Sequence, residues 1–408
     1  MRKLAQSEKI FLDSYELMQF AVGVNDSKVI PKIINNLIKS IIGFRLKTDG
    51  NNLIAQDNKV TVHSLPNSIK NAYEASIYID NHYRPDFSKE FATIAANDKF
   101  VSVNSSHGFT DGGFFKNLIR NILNDNLNEV KGLPITPFEL FSNEIQETID
   151  DPSFEQDTLK VSRFPFSHTL PETPSTIFRR DINDVFPIEE HKWYNKSTGK
   201  LSGLTESLWL SIALASETLN NVKRPLKVGC LTCVDLRPFI NPRQKTVSEN
   251  AGNNFTSFGV VADNVNEQMT IREAGKQLRN NFNRKTLNGA IFNSLKPEFD
   301  YGGNDNENIL VELSNVGPME FKDPINDVWV QQSMKSKIIE RTVTLTSFSM
   351  VGSHKNLISN RLQYSPTTVS DEAAQKISNS ISYFMKNISP DVTIREAMEL
   401  MRHIQNPK

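Results

Sequence analysis

The sequence predicts an α/β protein built in two halves. Three observations carry this. Segments with the two-residue alternation of strands take turns with segments of helical, 3.6-residue periodicity. The chain has 408 residues, more than one domain usually holds, which favours two domains or three. From about residue 133 to 187 the periodicity fades and prolines recur (Pro134, Pro137, Pro152, Pro165, Pro171, Pro174, Pro187), as in an extended connection.

Taken in order, "SKVIPKIINNLIKSIIGF" is the first clear helix. Val29, Ile30, Ile33, Ile34, Leu37, Ile38, Ile41 and Ile42 form one apolar stripe. Ser27 suits an N-cap, and Pro31 falls in the first turn, where proline is tolerated. "FRLKTDGNNLIAQ" reads as a hairpin turning at Asp49-Gly50. "KFVSVNSSH" alternates Val101 and Val103 with Ser102 and Asn104, as a strand does. In "GGFFKNLIRNILND", Phe115, Leu118, Ile119, Ile122 and Leu123 share a helical face. After the proline-rich stretch comes the helix "TESLWLSIALASETL", with Leu208, Ile212 and Ala215 on its core side. An apolar strand spans residues 227–236. "TIREAGKQLRNNFNRK" is a more polar helix, "NILVELSNVG" and "RTVTLTSFSM" are strands, and "SDEAAQKISNSISYFMKNI" closes the series as a last amphipathic helix. This order divides the chain into an N-terminal domain over 1–165, a crossover linker over 166–200 and a C-terminal domain over 201–408. No short-period repeat is visible.

Composition excludes several classes. Net charge is −1 and no basic block is present, so nucleic acid and anionic membranes are poor partners. The longest apolar run, Leu208–Ala215, is too short to span a bilayer. The N-terminus carries no apolar segment of the secretory type. The expectation is a soluble, cytoplasmic protein.

The two cysteines, Cys230 and Cys233, have CxxC spacing, which invites a redox or metal reading. They fall in an apolar, strand-forming run, however. Three residues along a strand cover about 10 Å and place the side chains on opposite faces, a geometry that closes no disulfide. No second Cys or Cys/His pair completes a zinc site. The expectation is two structural thiols and no metal.

The stretch "NSSHGFTDGGFF" (Asn104–Phe115) is the most suggestive. His107 ends a strand, small polar residues flank it, and Asp111 follows four residues later at the turn into a helix. Those small neighbours suggest free space beside the imidazole. A Ser-His-Asp hydrolase is disfavoured because no G-x-S-x-G occurs. Zinc is disfavoured because the other histidines are scattered singly. An imidazole alone suits proton abstraction from a hydroxyl or amine.

At these residues the sequence resembles a known superfamily. "HGFTDGG" is similar to the HxxxDG motif of acyltransferases typified by chloramphenicol acetyltransferase. That group includes peptide-synthetase condensation domains, alcohol O-acetyltransferases, plant BAHD acyltransferases and polyketide-associated acyltransferases. "CVDLRPFINP" resembles the strand that carries an arginine there, "AGNNF" the following Gly-Asn turn, and "ELSNVGPMEF" a late strand-turn often read as SNxG. The four motifs occur in family order over essentially the whole chain. Ser106 stands where condensation domains carry a first histidine, and "SNVGP" stands in the region of the plant enzymes' DFGWG. Both departures favour the alcohol-acetyltransferase-like and polyketide-associated branch.

The resemblance implies two similar-sized α/β domains, each a mixed sheet with helices, and a site tunnel between them. His107 is implied as general base, removing a proton from an acceptor hydroxyl or amine as it attacks the thioester of an acyl-CoA. Acyl-CoA is then a co-substrate, a small molecule the acceptor, and no cofactor stays bound. Asp111 is implied to be structural, turned from the base and paired with Arg237. Gly112 would let the helix terminus approach closely. Ser314 and Asn315, with Gly317 beside them, are the candidate donors for a tetrahedral oxyanion. A chain of this length can supply both halves of the site, so a monomer is expected. A carrier-protein-dependent condensing enzyme and an inactive ligand-binding member stay open as alternatives.

Overall fold

The computed structural model describes residues 1–125, 127, 129–148, 157, 160–165, 167, 177–222, 227–240, 253–296, 308–335 and 341–406. Pro152, Pro171 and Pro174, and Ala251 and Gly252 of the Gly-Asn turn, lie outside the described residues.

The first sheet grows around two strands buried along their whole length, β2 (Leu17–Val24) and β7 (Phe100–Ser106). A strand that reads "LMQFAVGV" has no polar face to offer solvent and belongs in a sheet interior. The sheet runs β15-β2-β7-β6-β5, with β5 at Val62–Ser64, β6 at Ala92–Ala96 and β15 at Ile325–Ser333. β5 and β6 are parallel and the other neighbours antiparallel. Its apolar side chains share one core with α2 (Ile30–Ser40), α3 (Ala72–His82) and α4 (Gly112–Asn121). Before β2 lies α1 (Gln6–Asp13). A small sheet, β1-β4-β3 (Arg2–Lys3, Asn52–Ala55, Leu46–Thr48), stands beside it. Its β3–β4 hairpin turns through Gly50, whose φ of 97° suits glycine. The Asp49-Gly50 turn is as the sequence predicts.

The predicted long helix over the isoleucine-rich segment is shorter than expected. A single 3-10 turn occupies Ser27–Val29, capped by Asp26 rather than Ser27, and α2 ends at Ser40. Ile41 is extended, and Ile42 opens a second 3-10 turn. Both isoleucines stay buried, so the stripe persists after the helix has stopped.

The second sheet runs β13-β12-β14-β16-β17-β9, with β8 also on β14. The strands are β8 (Arg163–Pro165), β9 (Arg180–Pro187), β12 (Lys227–Asp235), β13 (Phe255–Asp263), β14 (Asn308–Glu320), β16 (Thr342–Gly352) and β17 (Lys355–Tyr364). β12–β14 and β14–β16 are parallel pairs, so this sheet is mixed. One face supplies Val228, Cys230, Phe258, Val260, Val311, Leu313, Val343 and Leu345 to a core. That core is completed by α7 (Leu204–Leu219), α8 (Ile271–Leu287), α9 (Asp371–Asn387) and α10 (Ile394–Gln405). α7 is buried all round, from Ser207 to Ser216, not on the single side the sequence suggested. The remaining short elements are α5 (Pro137–Leu140), α6 (Ser142–Glu147) and the β10–β11 hairpin (Tyr194–Asn195, Lys200–Leu201).

Three expectations need correction. The proline-rich stretch is not merely a connection, because β8 and β9 are strands of the second sheet. The sheets also cross the boundaries at 165 and 200: β15 of the C-terminal segment pairs with β2 in the first sheet. And α9 is not the last helix. α10 follows it and begins with the same pentapeptide, TIREA, as α8. Each copy forms a capping box, Thr270 with Glu273 and Thr393 with Glu396. The two starts lie side by side. Ile271 N–H donates to Val392 O (2.9 Å) and Ile394 N–H to Met269 O (2.9 Å), so each chain segment satisfies a donor that a helix start leaves open.

β14 joins the halves. Ile309, Val311 and Leu313 lie in the second core, while Val316 and Met319 lie in the first. The changeover falls at an irregularity between Asn315 and Gly317, where Gly317 takes a φ of 84°. The "SNVG" motif is the point at which one strand passes between two cores.

Candidate active site

β7 delivers His107 to the seam. The strand pairing Leu17↔Ser106 is extended by His107 N–H donating to Glu16 O (2.9 Å). The chain then turns sharply. Gly108 N–H donates to Ser106 Oγ (3.3 Å) and Thr110 Oγ1 to Ser106 O (3.1 Å). Phe109 is buried and meets Phe91 edge-on at 4.7 Å, which anchors the turn. Asp111 caps α4, accepting from Phe114 N–H at 2.7 Å.

Asp111 does more than cap. Arg237 grips it with both terminal nitrogens, Nη1 to Oδ1 at 2.9 Å and Nη2 to Oδ2 at 3.0 Å. Asn254 N–H adds 2.7 Å to Oδ2. Arg237 is held in turn by Asp235 at 2.9 Å. Burial by itself would raise the Asp111 pKa, but the guanidinium and the two backbone donors outweigh it and hold the carboxyl below its ordinary value. Gly112 and Gly113 make the approach possible. A Cβ on Gly112 would lie 2.7 Å from Val316 Cγ2, and one on Gly113 2.7 Å from Asp235 Oδ2. The turn after His107 is thus locked against β12 and the β14 crossing point.

The imidazole does not stand beside open space. Phe11 of α1 stacks on it (centroids 5.0 Å, 23° between planes), and Phe255 of β13 lies at 5.3 Å. His107 is only 7% exposed. One aromatic comes from each half, which puts the ring on the seam. Nδ1 lies 3.4 Å from Asn253 Nδ2. Nε2 lies 3.6 Å from Glu16 Oε1, an electrostatic contact rather than a formed hydrogen bond.

Glu16, 2% exposed, is the feature that sequence reasoning missed. Burial pushes its carboxyl pKa up; His107, Arg179 and the Gln332 amide, which donates to Oε1, pull the other way. Ser14 Oγ donates to Ile10 O at 2.8 Å and lies 3.5 Å from Oε2. Beyond it, the buried Arg179 is lowered to about 10 by desolvation, against the attraction of Glu312, Glu16 and Asp181. Glu312 accepts from Ser257 Oγ (3.1 Å), Thr344 Oγ1 (3.1 Å) and Cys233 Sγ (3.5 Å). Ionisable groups of alternating sign thus run from His107 into the second sheet.

The remaining candidates are placed differently. The Asn315 amide donates to Thr205 Oγ1 (3.1 Å), and its Oδ1 accepts from Gly317 N–H (3.1 Å). Its polar atoms hold the strand crossing together. Ser314 lies beside the Cys233 thiol. Among the described residues, neither hydrogen-bonds His107; the side-chain amide beside the imidazole is that of Asn253. Cys230 faces the apolar core and Cys233 the opposite, polar face. Burial raises both thiols above the ordinary range, and Glu312 adds to it. Among the described residues, no group of three or more His, Cys, Asp or Glu side chains could hold a metal ion. No described helix is long and apolar enough to cross a membrane.

No protein family's sequence profile matches the chain, and no curated protein sequence does. Solved structures do. Polyketide synthase associated protein 5 from Mycobacterium tuberculosis matches with a TM-score of 0.61 at 14% identity, over 94% of this chain and 97% of that one. The starter condensation domain of rhizomide synthetase, solved with C8-CoA and Leu-SNAC, matches with a TM-score of 0.63 at 10% identity, over 96% of both chains. The epimerization domain from the third module of tyrocidine synthetase B matches with a TM-score of 0.57 at 12% identity, over 99% and 98%. The protein has the two-lobed, mixed α/β fold of these structures.

Proposed function

We propose that this protein is an acyltransferase that moves an acyl group from acyl-CoA to a hydroxyl or amine of a small acceptor. The observation that carries the reading is the placement of His107: an imidazole clasped by one aromatic from each half, on a turn that the Asp111–Arg237 pair fixes. A rigidly aimed base at a seam suits an acceptor and a thioester that meet there.

In this mechanism His107 removes the acceptor's proton as its oxygen or nitrogen bonds to the thioester carbonyl carbon. The tetrahedral oxyanion takes a hydrogen bond from the Asn253 amide, which stands beside the ring. The carbon–sulfur bond then breaks, the thiolate leaves, and the imidazolium returns its proton to the sulfur. Asp111 and Arg237 aim the base and take no part in proton transfer. Asn253 replaces Ser314 and Asn315 as the oxyanion donor, because the Asn315 amide is committed to Thr205.

A second reading differs in the donor. A structural neighbour is a synthetase condensation domain that bears C8-CoA and Leu-SNAC, and a carrier-bound thioester would suit the same chemistry. The deciding experiment offers the purified protein a panel of alcohols and amines with free acyl-CoA and, separately, with carrier-protein-bound acyl thioesters. Transfer from free CoA at rates equal to or above those from the carrier supports the first reading; transfer from the carrier alone establishes the second. His107→Ala should lower either activity by about 10²–10⁴-fold. Product formation by neither route, with any acceptor of the panel, counts against acyl transfer.

A further inference from the structure

Glu312 stands in the middle of β14 on the face turned away from the second core. Its strand neighbours Val311 and Leu313 both point into that core, and successive strand residues alternate between faces. Three other strands send donors to it. Ser257 of β13 donates to Oε1 and Thr344 of β16 to Oε2, each at 3.1 Å, and the Cys233 thiol of β12 reaches Oε1 at 3.5 Å. A carboxylate offers about four lone-pair positions, so this cradle of neutral donors orients the group without filling it. Glu312 is half-buried, as is Ser314 two residues on.

What the cradle lacks is a cation in contact. Elsewhere in the interior, carboxylates are paired directly: Asp80 with Arg84, Asp111 with Arg237 and Asp157 with Lys285, each at 2.9 Å. Among the described residues, no lysine or arginine forms an ion pair with Glu312. Arg179 attracts it through space, but spends its terminal nitrogens on Met334 Sδ and the carbonyls of Thr342 and Gln363. Glu16 draws on the same guanidinium. A carboxylate held away from water with no cation beside it is costly, and a cationic ligand relieves that cost.

Its place is the third observation. Ser257 lies two residues from Phe255 on the same face of β13, about 7 Å along the strand. Phe255 packs against the His107 ring at 5.3 Å. Glu312 is thus one aromatic side chain removed from the candidate base.

We infer that Glu312 binds a positive charge on the acceptor: the acceptor carries a protonated amine separate from the hydroxyl or amine that is acylated. Ser257, Thr344 and Cys233 hold the carboxylate still, and the ammonium takes the position they leave open. An acceptor with a carboxylate at that end is rejected by like charge. This deepens the acyl-transfer reading and rests on it.

The test offers the full-length protein a length series of matched acceptors, with whichever thioester donor supports transfer. Amino alcohols are paired with alkanols and diamines with monoamines, so that each pair differs only in a terminal ammonium. The expected result is a kcat/KM advantage of roughly 10–100-fold for the ammonium-bearing member at its best length, the worth of a charged hydrogen bond, carried mainly by KM. Glu312→Gln, which keeps the shape and removes the charge, should collapse that ratio towards one. No advantage in the wild type, or the same advantage in the variant, overturns the inference. If no acceptor supports turnover, the acyl-transfer reading falls, and calorimetric titration of the diamines decides about Glu312 separately. Binding that weakens tenfold or more in Glu312→Gln supports the ammonium site; equal binding, or none to the wild type, overturns it. Should Glu312→Gln fail to fold, the wild-type preference within each pair decides alone.

Discussion

Asp111 and Arg237 meet as a two-pronged, fully interior pair, with Nη1–Oδ1 at 2.9 Å and Nη2–Oδ2 at 3.0 Å across 126 residues of chain. The carboxylate comes from the turn that follows the candidate base, and the guanidinium from the end of β12. The pair therefore ties the aim of His107 to the second sheet. Removing Arg237 strands the buried Asp111 carboxylate, whereas removing Asp111 leaves Arg237 with Asp235, so Arg237→Met should cost roughly 3–5 kcal/mol and Asp111→Asn less. The double variant should recover much of this, giving a strongly non-additive cycle in chemical denaturation. Strictly additive losses would show that the two charges do not depend on each other.

The same pair predicts acid sensitivity. The Asp111 pKa is lowered in the fold, so the unfolded chain takes up its proton first as pH falls. The stabilisation is complete above the ordinary carboxylate range and is lost progressively below about pH 4. Melting curves of wild type and Asp111→Asn should converge through that window. Parallel curves would deny the carboxylate its low pKa.

Glu16 should behave in the opposite sense. Its pKa is raised in the fold, so the folded protein resists its ionisation. Stability is then fully present below the unfolded carboxylate value and declines as pH rises through the folded one. Glu16→Gln should accordingly melt higher than wild type at neutral pH, with the gain vanishing in acid. A variant that melts lower at neutral pH would mean that the Arg179 attraction outweighs the burial cost.

Gly112 tests how closely α4 is drawn in. Gly112→Ala places a methyl 2.7 Å from Val316 Cγ2 and should cost about 1–3 kcal/mol by overpacking. Val316→Ala in the same chain should return part of that loss, measured by urea unfolding. No recovery in the pair would place the strain elsewhere than at this contact.

The cysteines supply a test independent of function. Burial holds both thiols above the ordinary range, and thiolates rather than thiols react. At pH 8 the folded protein should resist alkylation by iodoacetamide at Cys230 and Cys233, and should take up two equivalents in denaturant. Rapid labelling of Cys233 in the native state would show that its polar face is open.

What the sequence made legible follows the range over which its signals act. His107, Asp111 and Gly112 lie within one turn, and a strand end followed by a capped helix is a local pattern. Cys230 and Cys233 were readable because a strand's period of two puts residues three apart on opposite faces. Arg237 came through a resemblance, since nothing around "DLRP" states what it pairs with. Glu16 and Phe11 were out of reach, and Asn253 was legible only as part of the "AGNNF" turn, with no place beside His107. Each lies in a polar or irregular stretch of its own, and becomes part of a site only when β2 and β13 bring distant segments to the end of β7. The burial of His107 was misjudged for the same reason: its neighbours in sequence are small, but its neighbours in space are two phenylalanines. The pairing of β15 with β2 was equally hidden, because an apolar strand does not announce which sheet it joins.

That pairing sets an order of events during synthesis. Without β15, β2 is the outermost strand of the first sheet, and all eight of its residues are of the kind the finished protein buries. The ribosome makes β2 early, yet Ile325 is added about 300 residues later, a wait of roughly 15–60 s at typical elongation speeds of 5–20 residues per second. For that interval the N-terminal half presents an unpaired apolar edge of the sort that recruits foreign strands. The sheet begun at β2 therefore stays open on that side until β15 has been made.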